Sequence, residues 1–324
     1  GFTVPVSGGT NGNGDTFVAW NFKAGGAAVT NTDGTITSQV SANPAAGFSV
    51  VSYEGNGVSG ATVGHGLIDS PSMIIIKNTV ENSATGSGTN WRVYHKDLTA
   101  GYNIMLNQTN AQSATPAAFT TTPPSSTVFT LGNFVGTNAT VSGGSAEYIA
   151  YCFAEVEGFS KIGSYVGNGG VNTIVTGFEP AFMLFRAVDI AFPWELVDNK
   201  RPDGELNANN SDAERIENTP DFLENGFRLT TERYNNSGQK FIYMAFAADP
   251  NAQVPTKADS FNTVIYSGDG TTNNPITGVG FQPDFVWIKP RYIADNHCLH
   301  DVVRGIDRAL YSNGTNQERV GQTA

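Results

Sequence analysis

Short apolar runs of strand length, separated by polar turns, make up most of the chain. MIIIK at 73–77, FMLF at 182–185 and FVWI at 285–288 are unbroken, as expected for strands covered on both faces. The run YIAYCFA at 148–154 alternates instead, with large side chains on one face and small ones on the other. The small face suits the close approach of a second sheet, and the large face supplies core volume.

Three segments open with one pattern: an aromatic residue, a β-type run, a tyrosine and a Gly-x-Gly turn. They are GFSVVSYEGNG at 47–57, GFSKIGSYVGNG at 158–169 and SFNTVIYSGDG at 260–270. A proline then precedes an apolar strand that ends in Lys or Arg, a position where no ladder hydrogen bond is lost. These prolines are Pro71, Pro180 and Pro283. We therefore predict an all-β fold of tandem, repeated, β-sandwich-like units of about 100 residues, with little helix.

A third block recurs in the three segments, and in each copy two notable residues lie four positions apart. The pairs are Trp91 and His95, Trp194 and Asp198, and His297 and Asp301. Because an indole face can stack on a sugar ring, Trp91, His95, Trp194 and Asp198 are candidate ligand-binding residues. The alternative is that the tryptophans anchor the core while His95 and Asp198 satisfy nearby backbone. Recurrence at one position favours packing.

A closing block reads FVAWNFKA at 17–24, YIAYCFAE at 148–155 and FIYMAFAA at 241–248. A shorter strand precedes each run, FTV at 2–4, FTL at 129–131 and FRL at 227–229. Since a Gly/Asn/Ser-rich loop joins the two members, we predict that each pair forms a hairpin.

The order of the blocks predicts four regions. Residues 1–46 are a closing hairpin of a preceding unit plus an extended linker, 47–157 and 158–257 are complete units, and 258–324 is a partial unit. Two arrangements remain open. The chain is a segment of a longer array, which we favour, or the N-terminal hairpin completes the C-terminal unit within the chain or in a neighbouring copy.

Helix is expected to be scarce, and the best candidate is a short helix from Ser211 to about Glu217, where Ser211 and Glu214 have capping-box spacing. The linker at 29–47 is polar and alternating, so we expect it to be extended rather than loose.

Charge and cysteine content narrow the function. The net charge of −11 disfavours a nucleic-acid partner, and no apolar stretch is long enough to span a bilayer. The opening GFTVPVSGGTNGNGD has no signal-peptide pattern, so a secreted protein of this sequence would be processed, a fragment or released by lysis. Cys152 and Cys298 form no disulfide framework, and no Cys/His cluster has metal-ligand spacing. We expect no cofactor and no metal.

Catalytic patterns are weak. Carboxylates that could serve a glycan hydrolase are Asp97, Glu155, Asp198, Asp221 and Asp301. The equivalent position reads His95, Asp198 and Asp301, so the acid is not copied, and we expect surface carboxylates and no enzyme. His65 has no counterpart in the other segments and is interpreted as a loop histidine. Turns near Asp15, Asp33 and Asp269 lack the spacing of a calcium loop, so we expect simple turns.

Four stretches carry a family resemblance: FVAWNFKAGGAAVTNTDGTITSQVSANPAAGFSVVSYEGNG (17–57), ATVGHGL (61–67), WRVYHKDL (91–98) and YIAYCFAEVEGFSKIGSYVGNG (148–169). They resemble a domain of unknown function that recurs in virion-associated and tail-fibre proteins of marine bacteriophages. That domain often lies downstream of a concanavalin-like laminin-G module. The resemblance implies a virion surface, homotrimers and host contact, and it supplies no catalytic residues.

We therefore expect a structural component of a bacteriophage tail fibre or similar virion appendage, on the virion and outside cells, displaying loops for host-surface recognition. Receptor contact is expected at 78–90, 107–128 and 199–220. The expected partners are copies of the same chain, other virion proteins and host-surface glycan, without membrane insertion. Two alternatives stay open. One is a self-assembling extracellular filament or capsid decoration protein, and the other is a carbohydrate-binding module of a surface adhesin.

Overall fold

Strands dominate the computed structural model, which describes residues 1–5, 7–80, 89–115, 117–141, 144–217, 219–247 and 260–321. In these ranges, helix is limited to one short α-helix, α1 (Gly8–Asn11), and to 3-10 turns at Pro44–Ala46 and Glu232–Tyr234. Within these residues, no helix has both the length and the apolar character needed to cross a membrane.

Three antiparallel sheets form the body, seven strands in sheet A and six each in sheets B and C. Sheet A consists, in spatial order, of β3 (Val29–Asn31), β4 (Ser38–Asn43), β5 (Phe48–Glu54), β13 (Glu147–Phe153), β7 (Met73–Asn78), β8 (Arg92–His95) and β9 (Ile104–Met105). Sheet B consists of β14 (Ser160–Val166), β22 (Lys240–Phe246), β16 (Phe182–Ala187), β17 (Glu195–Asp198), β18 (Arg201–Asn207) and β19 (Arg215–Ile216). Sheet C consists of β23 (Phe261–Ser267), β2 (Thr16–Phe22), β25 (Phe285–Pro290), β26 (Cys298–Asp301), β27 (Gly305–Tyr311) and β28 (Arg319–Val320).

A smaller second layer accompanies each sheet. It consists of β6 (Thr62–Gly64) and β10 (Val128–Thr130) for sheet A, β15 (Asn172–Val175), β21 (Gly226–Leu229) and β20 (Asp221–Leu223) for sheet B, and β1 (Phe2–Val4) and β24 (Asn274–Ile276) for sheet C. A separate hairpin pairs β11 (Thr140–Val141) with β12 (Gly144–Ser145). The outer face of sheet A packs on Val63 and Phe129 of its layer, and that of sheet C packs on Phe2 and Ile276. The predicted all-β, sandwich-like class is confirmed.

The short strands do not pair with the closing strands, so the predicted hairpins are wrong. β1 pairs with β24, β10 with β6, and β21 with β15 and β20. The reason is that each closing strand already has a neighbour on both sides. β13, for example, pairs with β5 along one edge and with β7 along the other. No ladder groups remain for the short strand, which lies in the second layer instead.

The N-terminal strand β2 lies inside sheet C. It pairs with β23 from Thr16↔Ser267 to Phe22↔Phe261, and with β25 along its other edge. Of the two arrangements that the sequence left open, the structure has the one in which the N-terminal segment completes the C-terminal unit, and it does so within the same chain. Residues 1–24 therefore lie with the C-terminal segment and do not form part of a preceding unit, which corrects the region boundaries at 1–46 and 258–324.

One hydrophobic core joins the inner faces of the three sheets. Phe22 of sheet C, Phe153 of sheet A and Phe246 of sheet B meet there, each at most 2% exposed. Their ring centroids lie 5.8 Å (Phe22–Phe153), 5.3 Å (Phe22–Phe246) and 6.1 Å (Phe153–Phe246) apart, with edge-on geometry. Such contacts add to the stabilisation from burial.

The alternation of β13 sets the two faces of sheet A. Ile149, Tyr151 and Phe153 face the central core, whereas Ala150 and Cys152 face the outer layer. This confirms the assignment of large and small faces made from the sequence pattern.

The anchor tyrosine of each opening segment has the same kind of hydrogen-bond partner, a backbone carbonyl. The hydroxyls of Tyr53, Tyr165 and Tyr266 each donate over 2.7 Å to a backbone carbonyl, that of Thr137, Tyr234 or Thr10. The next residue along the chain is a fully buried asparagine, Asn138, Asn235 or Asn11. Each asparagine Oδ1 accepts from a backbone N–H in the glycine-rich turn, that of Asn56, Asn168 or Asp269. These bonds fix the turn that follows each first strand.

The predicted helix from Ser211 to Glu217 is wrong. Asn210 forms an Asx turn with the Asp212 N–H, and Arg215–Ile216 pair with β18. The Glu214 carboxylate bonds Arg201 and Arg291 rather than a helix N-terminus. The linker at 29–47 is extended as predicted, since β3 and β4 add to the edge of β5.

Candidate functional site

The two tryptophans of the third block tie neighbouring sheets together. Trp91 and Trp194 are 0% and 1% exposed, so the structure leaves no indole face open to a sugar. Trp91 Nε1 donates over 2.9 Å to the carbonyl of Tyr311 in sheet C. Trp194 Nε1 donates over 2.9 Å to the carbonyl of Met105 in sheet A. This is the geometry of the packing alternative rather than of a stacking platform.

The side chain at the second position of the block, His95, Asp198 or Asp301, also forms a hydrogen bond to a neighbouring sheet. Asp198 Oδ2 of sheet B accepts from Trp20 Nε1 of sheet C over 3.0 Å. Asp301 Oδ2 of sheet C accepts from the Tyr151 hydroxyl of sheet A over 2.8 Å. Since His95 Nδ1 accepts from the Asp97 N–H, its Nε2 donates to the Tyr243 carbonyl of sheet B, 3.3 Å away. Asp198 and Asp301 are buried, contrary to the expected surface position, and none of the three is open to a ligand.

An arginine three residues after each aspartate completes two buried ion networks. Arg201 donates to Asp198 and to Glu214, and Arg304 donates to Asp301 and to Glu318. The shared spacing in DNKR (198–201) and DVVR (301–304) was a sequence signal for these pairs. The equivalent turn HKDL in sheet A has leucine at the arginine position, and burial lowers the pKa of His95 to about 4, which keeps the ring neutral.

A polar cleft of about 690 Å³ lies between sheets A and C, and it is the best candidate for a binding site. Its volume is in the range of ligand pockets, which often lie between domains or sheets. One wall comes from sheet A, and the other comes from Val303 and Arg304 before β27, Arg308 of β27 and Glu318 just before β28. Residues 35–39 border the cleft. The lining includes Thr35, Gln39, Glu54, Asn56, Thr79, Glu147, Tyr148, Arg304, Arg308 and Glu318.

Some charged side chains of the cleft form ion pairs, and others do not. Arg304 and Arg308 both bond Glu318, and Arg304 also bonds Asp301. Glu54 and Glu147 are exposed and lie directly opposite each other on β5 and β13. Within the described part of the chain, neither of these two carboxylates forms an ion pair.

A small side chain contributes to the opening of this junction. The backbone N–H of Glu318 donates to the Thr79 carbonyl, and that of Glu214 donates to the Arg291 carbonyl at the junction of sheets B and C. The Arg291 side chain there bonds the Glu214 carboxylate over 2.8 Å and occupies the space. The short Thr79 side chain cannot do so. Of the cleft residues, only Thr79 lies in a segment that the sequence marked for receptor contact (78–90), and the cleft itself was missed because its lining comes from distant segments of the chain.

A second polar cluster, also missed from the sequence, is buried in sheet B. The carboxyl groups of Glu195 and Glu205 are 0% exposed and both accept from Arg233 Nη2, at 2.8 and 3.1 Å. Arg215 and the Tyr234 hydroxyl also bond Glu205, and Asn207 bonds Glu195. Burial, and then the neighbouring Glu205, raise the pKa of Glu195 to about 8.

The acid pair predicts a pH dependence of stability. Because the folded-state pKa of Glu195 lies above its unfolded value, its contribution is complete below about pH 4.5 and is lost as the pH rises toward 8. We expect Glu195→Gln to flatten this part of the stability curve, so that wild type loses about 2–4 kcal/mol more than the variant between pH 5 and pH 8. Urea unfolding at both pH values measures the difference. Parallel curves for the two proteins would contradict the assignment.

Two other candidate carboxylates, Glu155 and Asp221, form ion pairs within the protein. Glu155 bonds Lys96 and Lys161, and Asp221 bonds Arg228, all near the surface. Across the described ranges, no group of three His, Cys, Asp or Glu residues could hold a metal ion.

Two of the three predicted receptor loops lie against or within the sheets. Arg186 donates to the carbonyls of Gln108, Thr109 and Asn110, which fixes the start of 107–128 against sheet B. The stretch 199–220 contains β18 and β19. Residues 81–88 of the loop at 78–90 lie outside the described residues.

Comparison with known protein families gives a match over most of the chain. The model of a family described as domain of unknown function DUF7483 matches residues 1–250 and 256–324. No curated protein and no solved structure matches the chain.

Proposed function

For a chain that belongs to the DUF7483 family of domains of unknown function, we propose a non-enzymatic role as a recognition module of a bacteriophage tail fibre or similar virion appendage. The observation that carries the proposal is the fusion of three sheets into one core, tied by buried polar bonds at equivalent positions. A body of this kind is a rigid scaffold on which surface segments can present a binding site.

The acid cluster of sheet B supports a non-enzymatic role. A glycan hydrolase needs two carboxyl groups about 5 Å or more apart with the glycosidic bond between them. Glu195 and Glu205 instead share one guanidinium nitrogen, and the side chains of Arg215 and Arg233 contact them from the protein surface. The pair is filled by protein groups and has no room for a substrate.

The location of the N-terminal strand β2 bears on the filament alternative. β2 is paired along both edges within its own chain. It is therefore not free to add to a neighbouring copy, and the proposal of a discrete module, assembled as a homotrimer with other virion proteins, is preferred over an open filament.

Immuno-electron microscopy of intact particles of a phage that encodes this chain tests the role. We expect antibodies against the purified chain to label tail appendages, and a fluorescent fusion of the chain to bind intact host cells. Labelling over the whole capsid would instead support a decoration protein. Labelling of no part of the particle would refute a virion role.

A further inference from the structure

The polar cleft contains a charge arrangement that is unfavourable for folding. Glu54 and Glu147 are direct cross-strand neighbours, and like charges in this geometry are destabilising. The equivalent pairs are Val166↔Lys240 in sheet B and Ser267↔Thr16 in sheet C, so neither repeats the repulsion. The carboxylates are placed where they reduce stability and where they line an open cleft. A role in binding explains why this position carries them.

The chemistry of the lining selects a class of ligand. Three carboxylates (Glu54, Glu147 and Glu318) and two guanidinium groups (Arg304 and Arg308) line the cleft, so the lining has a net negative charge that disfavours anionic ligands, even though Arg308 also attracts Glu147. Thr35, Gln39 and Asn56 add exposed hydroxyl and amide groups along the same walls. The aromatic rings of Tyr53 and Tyr148 are buried, so binding relies on hydrogen bonds rather than on stacking. Hydroxyl groups are donors that match carboxylate acceptors, and such charge-assisted bonds are stronger than neutral ones.

We propose that this cleft binds a neutral, hydroxyl-rich saccharide, with Glu54 and Glu147 accepting hydrogen bonds from its hydroxyl groups. The inference rests on the proposed recognition role and names its ligand class. It places the receptor contact at the junction of sheets A and C instead of at the variable loops.

The test uses the complete chain on an array of immobilised oligosaccharides grouped as neutral, anionic and cationic, together with intact host cells. We expect wild type to bind members of the neutral group. Glu54→Gln/Glu147→Gln keeps the side-chain shapes and removes both charges, so we expect at least a ten-fold loss of that binding. The melting temperature of the double variant should equal or exceed that of wild type, since the repulsion is gone. Glu179→Gln, at an exposed turn outside the cleft, is the matched control.

The outcomes separate the ligand from the role. Undiminished saccharide binding by the double variant would overturn the cleft assignment. Binding to cells without any signal from neutral saccharides, or binding only to anionic ones, would overturn the ligand class and leave the recognition role standing. Failure of wild type to bind cells or saccharides would overturn both.

Discussion

Deletion of residues 1–22 is expected to prevent cooperative folding of the chain. The deletion removes β2 from the interior of sheet C and leaves β23 and β25 without a shared neighbour. It also removes Phe17, Trp20 and Phe22, each at most 2% exposed. Loss of one such side chain costs about 3–5 kcal/mol, and a typical domain is stable by only about 5–15 kcal/mol. Circular dichroism during thermal unfolding should show no cooperative transition.

A circular permutant is the matched control for this deletion. The permutant begins at Ala27, continues to Ala324 and then carries residues 1–26, so that every strand is present. The new ends lie between Gly26, a half-buried glycine at φ 77°, and Ala27, which is exposed. We expect a cooperative transition within a few degrees of that of wild type. A folded deletion variant would show that β2 is dispensable and would contradict the closure of sheet C.

Asp198→Ala is expected to destabilise the protein by about 3–5 kcal/mol, because it leaves Arg201 without its nearest carboxylate in a buried site. The side chain of Asp198 accepts from Arg201 and Trp20, and also from the backbone N–H groups of Lys200 and Arg201. Urea unfolding near pH 7 measures the loss.

Two further variants sharpen this prediction. Asp203→Ala, at an exposed position a few residues away, should change stability by less than about 0.5 kcal/mol. Asp198→Ala/Arg201→Leu should be more stable than Asp198→Ala alone, because it also removes a buried guanidinium that has lost one of its two carboxylates, while Glu214 keeps its bonds to Arg291. Leucine already occupies the equivalent position, Leu98, in sheet A. Equal stability of Asp198→Ala and wild type would contradict the structural role and would revive a binding role for this aspartate.

The hydrophobic pattern was sufficient for local structure. Unbroken apolar runs became central strands, and the alternation of Ile149, Tyr151 and Phe153 assigned the two faces of sheet A. The prolines at 71, 180 and 283 precede β7, β16 and β25 by two residues. These features depend on neighbours along the chain, which is why a single sequence contains them.

The hydrophobic pattern could not predict which strands pair, because strands compete for the same backbone hydrogen-bond partners. The hairpins of 2–4, 129–131 and 227–229 looked favourable locally, yet β13 and its equivalents were already paired on both edges. The pairing of β2 with residues near 261–290 joins opposite ends of the chain. No local signal distinguishes that pairing from a separate preceding unit.

Buried charge was the hardest feature to predict. The sequence places a Lys or Arg at the end of each central strand without showing its exposure, and Lys77, Arg186 and Lys289 are all 0% exposed. Their charged groups donate to backbone carbonyls, and burial lowers the pKa of Lys77 to about 7. Likewise Glu195 and Glu205 meet only because β17 and β18 pair, so they went unnoticed among single surface-type residues.

Hydrogen exchange of the amides in Thr16–Phe22 tests most directly whether the N-terminal strand closes a single three-sheet core. Mass spectrometry of native-state exchange over a urea series gives the free energy at which this segment opens. The closed core predicts that these amides exchange only through global unfolding, with the same free energy as those of β13 and β22. Exchange of Thr16–Phe22 through a local opening several kcal/mol lower, while β13 and β22 stay protected, would contradict it.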